Sequence, residues 1–212
     1  MAPSDLHEPP ATPAASAAAP LRDVPPDPLV ELAIYSGDSL ASGHVALSTD
    51  RVTDLLNDAE EFTLVDLAVQ SLEDGHELSL PEALVLRSEL YAVAVSGPQG
   101  SPKRRIRTRP CPVELRLRRY DVSGHLHALP GTDPVAGFFH RREVMIPLTE
   151  ATIAYDSPAG RVLCRYDTLL VNRLLVERIS PARRSDVRPP GPASELQHQA
   201  VASQVAQQPL SS

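Results

Sequence analysis

The chain contains no tryptophan, and aromatic residues make up only 4% of its 212 positions. Any core must therefore be assembled mostly from Val, Leu, Ile and Ala. Cysteine is nearly absent, with Cys111 and Cys164 as the two examples. They lack CxxC spacing, which excludes a zinc knuckle and a disulfide framework and suits a reducing, cytoplasmic setting. The N-terminus has no basic segment followed by an apolar one, so no secretory signal is indicated. No apolar run approaches the roughly 20 residues of a membrane-spanning helix. Neither a Gly-x-Ser-x-Gly elbow nor a phosphate-cradling glycine loop occurs. These absences predict a soluble protein that is not an enzyme.

What the chain does have is an internal repeat. Val30-Glu31-Leu32-Ala33-Ile34 is matched by Val113-Glu114-Leu115-Arg116-Leu117. Ser42-Gly43-His44 is matched by Ser123-Gly124-His125, and Phe62-Thr63-Leu64 by Ile146-Pro147-Leu148. The late runs Leu84-Val85-Leu86 and Thr168-Leu169-Leu170 also correspond. The offset between copies drifts only from 81 to 84 residues. This divides the chain into a Pro/Ala-rich arm (1–28), a first repeat (29–97), a basic linker (98–111), a second repeat (112–180) and a tail (181–212). Arm and tail carry too few large apolar residues to offset the entropy of ordering, and disorder is expected there. Each repeat, at roughly 70 residues, is near the lower limit for an independent core. The two should therefore pack on each other, as a pseudo-twofold pair.

Within a repeat, the periodicity predicts strand, strand, short helix, strand, strand, strand. Val30, Leu32 and Ile34 alternate with other residues, as in a half-buried strand. Val52, Leu55 and Leu56 lie on one helical face, with Thr49 or Asp50 as the cap. Asp133-Pro134 repeats the cap-then-proline pattern in the second copy. Glu61 to Val69 is extended, with Phe62, Leu64 and Leu67 inward. Two strands should flank the polar Arg87-Ser88-Glu89. Five short strands and one helix per copy predict a mainly β protein of two small five-stranded barrels or rolls.

Charge is divided unequally. Residues 1–97 carry 17 Asp/Glu against 3 Lys/Arg, whereas residues 98–212 carry 10 against 17. The linker holds five basic residues in seven, Lys103, Arg104, Arg105, Arg107 and Arg109, and the following strand adds Arg116, Arg118 and Arg119. The positions matched to these last three are Ala33, Tyr35 and Ser36, so the core does not require arginine there. Together the eight basic residues define a candidate surface for an acidic partner. The alternative is docking onto the chain's own acidic first repeat. Nucleic acid is a further reading of the linker, but no aromatic residues interleave the arginines for base stacking.

Other constellations are weaker. His125 and His127 share a strand face, and His140 could add a third zinc ligand. His44, however, matches His125 and points to a shared structural role. Cys164 lies in an apolar strand and reads as a small core residue. No catalytic, metal or cofactor site is assigned.

The run Asp50-x-Val52-x-x-Leu55-Leu56-Asn57, followed by Phe62-x-Leu64 and a late Leu170-Val171-Asn172, resembles a small uncharacterised bacterial domain family of Sm-like β-barrels. Copy two departs from it at Gly137 and His140. The Pro-, Ala- and Arg-rich composition is similar to that of proteins from high-GC gliding bacteria. There, small proteins without enzyme motifs serve Ras-like GTPase polarity switches. The resemblance implies a protein-interaction adaptor or regulator of cell polarity or motility, acting by promoting nucleotide exchange on a small GTPase. An Sm-like nucleic-acid-binding protein is the alternative it implies.

Overall fold

The computed structural model describes residues 27–96 and 107–182. The first repeat contains β1 (Leu29–Tyr35), β2 (Ser39–Ala46), α1 (Val52–Asp58), β3 (Glu61–Ser71), β4 (Glu77–Leu86), a 3-10 turn at Arg87–Glu89 and β5 (Ala92–Ser96). The second contains β6 (Arg109–Leu117), β7 (Tyr120–Ala128), α2 (Pro134–Phe139), β8 (Met145–Ser157), β9 (Gly160–Asn172), a 3-10 turn at Arg173–Leu175 and β10 (Arg178–Pro181). The protein is mainly β, and the expected order of elements recurs in both copies. Strand β6 starts at Arg109, inside the stretch read as linker. The arm through residue 26, the linker through residue 106 and the tail from residue 183 lie outside the described residues. No helix among the described residues is long and apolar enough to cross a membrane.

Local chemistry explains most of these elements. Val30, Leu32 and Ile34 point inward on β1 at the period of two expected of a half-buried strand. Asp133 caps α2 by accepting a hydrogen bond from the Val135 amide at 2.9 Å, and Pro134 occupies the first turn, where no donor is needed. In α1 the capping position falls on Arg51, whose side chain makes no cap bond. The helix starts at Val52, and the Thr49 hydroxyl donates to the Arg51 carbonyl at 2.8 Å. Val52 and Leu56 are the buried residues of the helix and join a cluster that also holds Met145 and Leu170 of the second repeat.

All ten strands belong to one antiparallel sheet, ordered β10-β6-β7-β8-β9-β5-β1-β2-β3-β4. This corrects two expectations. First, neither repeat closes as a separate hydrogen-bonded barrel among the described residues. Strands β4 and β5 share no ladder, and the sheet stays open at β4 and β10. Second, the repeats are not a pseudo-twofold pair. A twofold axis would pair equivalent strands, but here the fifth strand of copy one joins the fourth strand of copy two. The registry is Ala92 to Val171, Val93 to Leu170 and Ala94 to Leu169. The joint is head-to-tail, and it uses a different surface of each copy.

Strand registry also corrects the alignment of the copies. Gly43 lies opposite Leu32, and Gly124 lies opposite Val113. Leu32, not Val30, is thus the counterpart of Val113. The two-residue slip preserves inside and outside, which is why alternation alone did not reveal it. The true counterparts of Arg116, Arg118 and Arg119 are Tyr35, Gly37 and Asp38.

Both glycines mark the same device. The ladder between the second and third strands shifts at Ser42/His44 in copy one and at Ser123/His125 in copy two. Opposite these shifts, Asp66 and Glu150 adopt left-handed backbone at φ 52° and 49°. A Cβ on Gly43 would stand 3.2 Å from the Val65 carbonyl oxygen, and one on Gly124 would stand 3.2 Å from Thr149 O. Each copy bends its third strand through a β-bulge that closes tightly on a glycine.

The core has two clusters, and each crosses the repeat boundary. Met145 and Leu170 of the second copy complete the first cluster around Leu32, Leu56 and Leu64. Tyr35, Leu72, Ala92 and Ala94 of the first copy enter the second, around Leu117, Phe138 and Ile153.

Candidate functional site

The eight basic residues proposed from sequence do not fall in one place. Lys103, Arg104 and Arg105 lie outside the described residues. Arg107 and Arg109 are exposed at the start of β6. Arg116 is seven residues beyond Arg109, on the opposite face and about 23 Å away at the rise of a strand. Arg118 is exposed in the β6–β7 turn, in left-handed backbone at φ 50°. Its guanidinium leans over the first repeat, with Nη1 3.1 Å from where a Cβ on Gly37 would stand. Arg119, half-buried, adjoins it.

Arg116 instead gathers partners that the sequence reading did not name. The pairing of β6 with β10 sets Arg178 directly opposite it. Asp121, across the ladder on β7, accepts from Arg116 at 2.5 Å and from Arg161 at 2.8 Å. Partial burial opposes ionisation of Asp121, but the hydrogen bonds and charges of the two arginines outweigh it and hold the carboxyl below its ordinary range. Arg116, Asp121, Arg161, Leu163 and Arg178 line a shallow basin of about 340 Å³ on the outer face of the second repeat. Leu163 is 52% exposed within it. Arg165 follows Arg161 and Leu163 on the exposed face of β9. The period-two run Arg161-x-Leu163-x-Arg165 is the signal that could have found this face in the sequence.

A second constellation lies at the seam between the copies. All five tyrosines of the chain meet there. Tyr35 of copy one packs edge-on against Tyr120, Tyr155 and Tyr166 of copy two, with ring centroids 5.5 to 6.3 Å apart. The Tyr35 and Tyr166 hydroxyls share a hydrogen bond of 2.6 Å, and the Tyr120 hydroxyl donates to the Ser36 carbonyl at 2.5 Å. Burial, reinforced by Tyr166 and Cys164, pushes the Tyr35 phenol far above its ordinary value. Burial also raises the phenols of Tyr120, Tyr155 and Tyr166 above the ordinary tyrosine value. Asn57, at the end of α1, pins the same seam. Its Oδ1 accepts from the Val144 and Met145 amides at 2.8 and 2.9 Å, and its Nδ2 donates to the Met145 carbonyl at 3.0 Å. Asn172 reaches back, donating to the Arg87 carbonyl at 3.2 Å.

The histidines do not converge. His127 bonds Thr108 and Thr149, and burial, with the charges of His125 and Arg141, lowers its pKa. His125 lies 3.5 Å from Glu150. Nδ1 of His44 is buried without a hydrogen-bond partner, so the two matched histidines do not share a role. Among the described residues, no group of three or more His, Cys, Asp or Glu is placed to hold a metal ion. Cys111 is buried and Cys164 half-buried, both as free thiols.

No known protein family, curated protein or solved structure matches the chain.

Proposed function

We propose that the chain is a non-enzymatic protein-interaction adaptor or regulator whose second repeat binds an acidic partner. The observation that carries this reading is the outer face of β6, β7, β9 and β10. Arg116 and Arg161 are held there on the Asp121 carboxylate, with Arg178 opposite Arg116 and the exposed Leu163 beside them. Charges fixed in this way orient an oppositely charged partner and speed its encounter, while the exposed leucine gives it apolar area to bury. In sequence the basic linker precedes β6 and adds to the excess of Lys and Arg in this half of the chain. A small Ras-like GTPase of a bacterial polarity or motility system is the specific partner that the compositional resemblance suggests. Promotion of nucleotide exchange would then follow from binding alone.

The test is loss of fluorescent nucleotide from such a GTPase, and its capture on the immobilised chain. Both should occur with the native chain and fail with R161E/R165E, which reverses two exposed positions on β9. Capture that is indifferent to the reversal contradicts the reading. Retention of DNA or RNA on filters that weakens steeply as salt rises would instead support the nucleic-acid alternative.

A further inference from the structure

Among the described residues, the head-to-tail joint leaves its two halves unused at the ends of the sheet. β4 is the first-repeat counterpart of β9, and β10 is the second-repeat counterpart of β5. Parallel hydrogen bonds establish the match. Arg87 donates to the Asn57 carbonyl at 2.6 Å, as Arg173 does to that of Phe139 at 3.5 Å. The Arg87 amide donates to the Glu60 carbonyl, as the Arg173 amide does to that of Val144. On this match Leu84 is the counterpart of Leu170. Leu170 is fully buried under the joint, whereas Leu84 is 62% exposed.

We infer that chains assemble head-to-tail, with β10 of one copy adding to the β4 edge of a second copy and repeating the internal joint between them. The transferred registry sets Arg178, Ile179 and Ser180 opposite Val85, Leu84 and Ala83 of the second copy. The prolines that blunt these edges, Pro81 and Pro181, fall outside that three-residue ladder.

The faces brought together are changed in matching ways. In the internal joint, Tyr35 and Ala92 enter the core cluster that holds Leu117 and Tyr120 of the second repeat. At the free β10 edge, the counterparts of Tyr35 and Ala92 are Arg116 and Arg178. The corresponding groove beside β4 is about 290 Å³ and is lined by Ile34, Leu67 and Leu84, with Ser36, Ser39 and Glu89. Those last three are the counterparts of Leu117, Tyr120 and Leu175. Both sides have become polar together: arginine stems can cover the leucines while their heads reach Glu89. The pinning asparagines change together as well. Asn57 and Asn172 have Phe139 and Leu86 as counterparts, 47% and 44% exposed. A second copy would set these two apolar residues on the same joint. The inference rests on reading the arginine face as an interaction surface, and it names the acidic first repeat of a second copy as one occupant. Such a joint is heterologous, so it builds a ring if the rotation closes and a filament if it does not.

Sedimentation of the full chain at about 100 µM should show a species larger than a monomer, on the scale at which weak self-association becomes populated. A monomer at that concentration overturns the inference and leaves the proposed binding of an acidic partner to its own assay. L84K/L86K and, separately, F139K/R178E should each sediment as monomers with unchanged circular dichroism. Mixed together they should give a one-to-one dimer, because each retains one intact edge. A mixture that stays monomeric overturns the inference, as does an oligomer indifferent to L84K/L86K. If those variants unfold, hydrogen exchange on the native chain decides. Protection of Leu84 and Ile179 that rises with concentration supports the second copy. Protection independent of concentration places another segment of the same chain on the edge and overturns it.

Discussion

The hydroxyls of Tyr35 and Tyr166, 131 residues apart in sequence, lie 2.6 Å from each other across the seam between the repeats. The bond joins strand β1 of the first repeat to β9 of the second. It sits in a cluster of five tyrosines in a chain with few other aromatics. Replacing either residue by Phe should cost about 1 kcal/mol, the usual net value of such a bond. The double substitution Y35F/Y166F should cost less than the sum, because the bond the two hydroxyls share can be lost only once. Chemical denaturation of the four proteins checks this. Additive losses would show that the two hydroxyls do not depend on each other.

The same cluster sets an alkaline limit. Burial raises the phenols of Tyr35, Tyr120, Tyr155 and Tyr166 above the ordinary tyrosine value near 10. In the unfolded chain these groups lose their protons near pH 10, whereas in the folded chain they keep them. The unfolded state then binds fewer protons, so stability falls as pH rises above 10. Below pH 10 their contribution is fully present. Thermal melts from pH 8 to 11 should be flat at first and then decline steeply, with tyrosinate absorbance at 295 nm appearing together with unfolding. Tyrosinate appearing well before the melt would show that these hydroxyls are open to water.

Asn57 is expected to matter more than its exposed neighbours on α1. Its side chain serves three backbone groups of the Val144–Met145 segment in the other repeat. Asn57→Ala should destabilise by about 2 to 3 kcal/mol, since it leaves buried amides without a partner. Asp58→Ala, one residue along, serves as the control and should stay within about 0.5 kcal/mol.

Gly124 closes against the Thr149 carbonyl and Ala151. Gly124→Val should cost about 1 to 3 kcal/mol by overpacking the bulge. Gly137, with nothing within 4 Å of an added Cβ, should gain up to about 1 kcal/mol on replacement by Ala through better helix propensity. Equilibrium unfolding of the two variants should move in opposite directions.

Much of the secondary structure was legible because period decides it. The alternation of Val30, Leu32 and Ile34, and the Asp133-Pro134 start of α2, follow from short-range rules. The break at Arg87-Ser88-Glu89 does too. The sheet order was not legible. Joining Val93 to Leu170 depends on which edge each repeat leaves unpaired, and apolar alternation is identical for either edge. Repeat alignment missed the two-residue slip of β1 for the same reason, since a shift of two keeps every side chain on its face. The basic face was half legible. Arg116 was visible beside the linker, but Asp121, Arg161 and Arg178 join it only through strand pairing. The tyrosines carried no spacing signal, because they come from four separate strands and, for Tyr91, the bend before β5.

Amide hydrogen exchange across the β5–β9 joint of the full chain tests the head-to-tail account most directly. Val93 and Leu170 are paired in the joint and fully buried, and each lies in the core cluster that spans both repeats. Both amides should therefore exchange only through global unfolding, with the same free energy as Ile153 in the middle of the second repeat. Exchange of Val93 or Leu170 through a lower-energy opening, while Ile153 stays protected, would show two separable repeats and contradict the single continuous sheet.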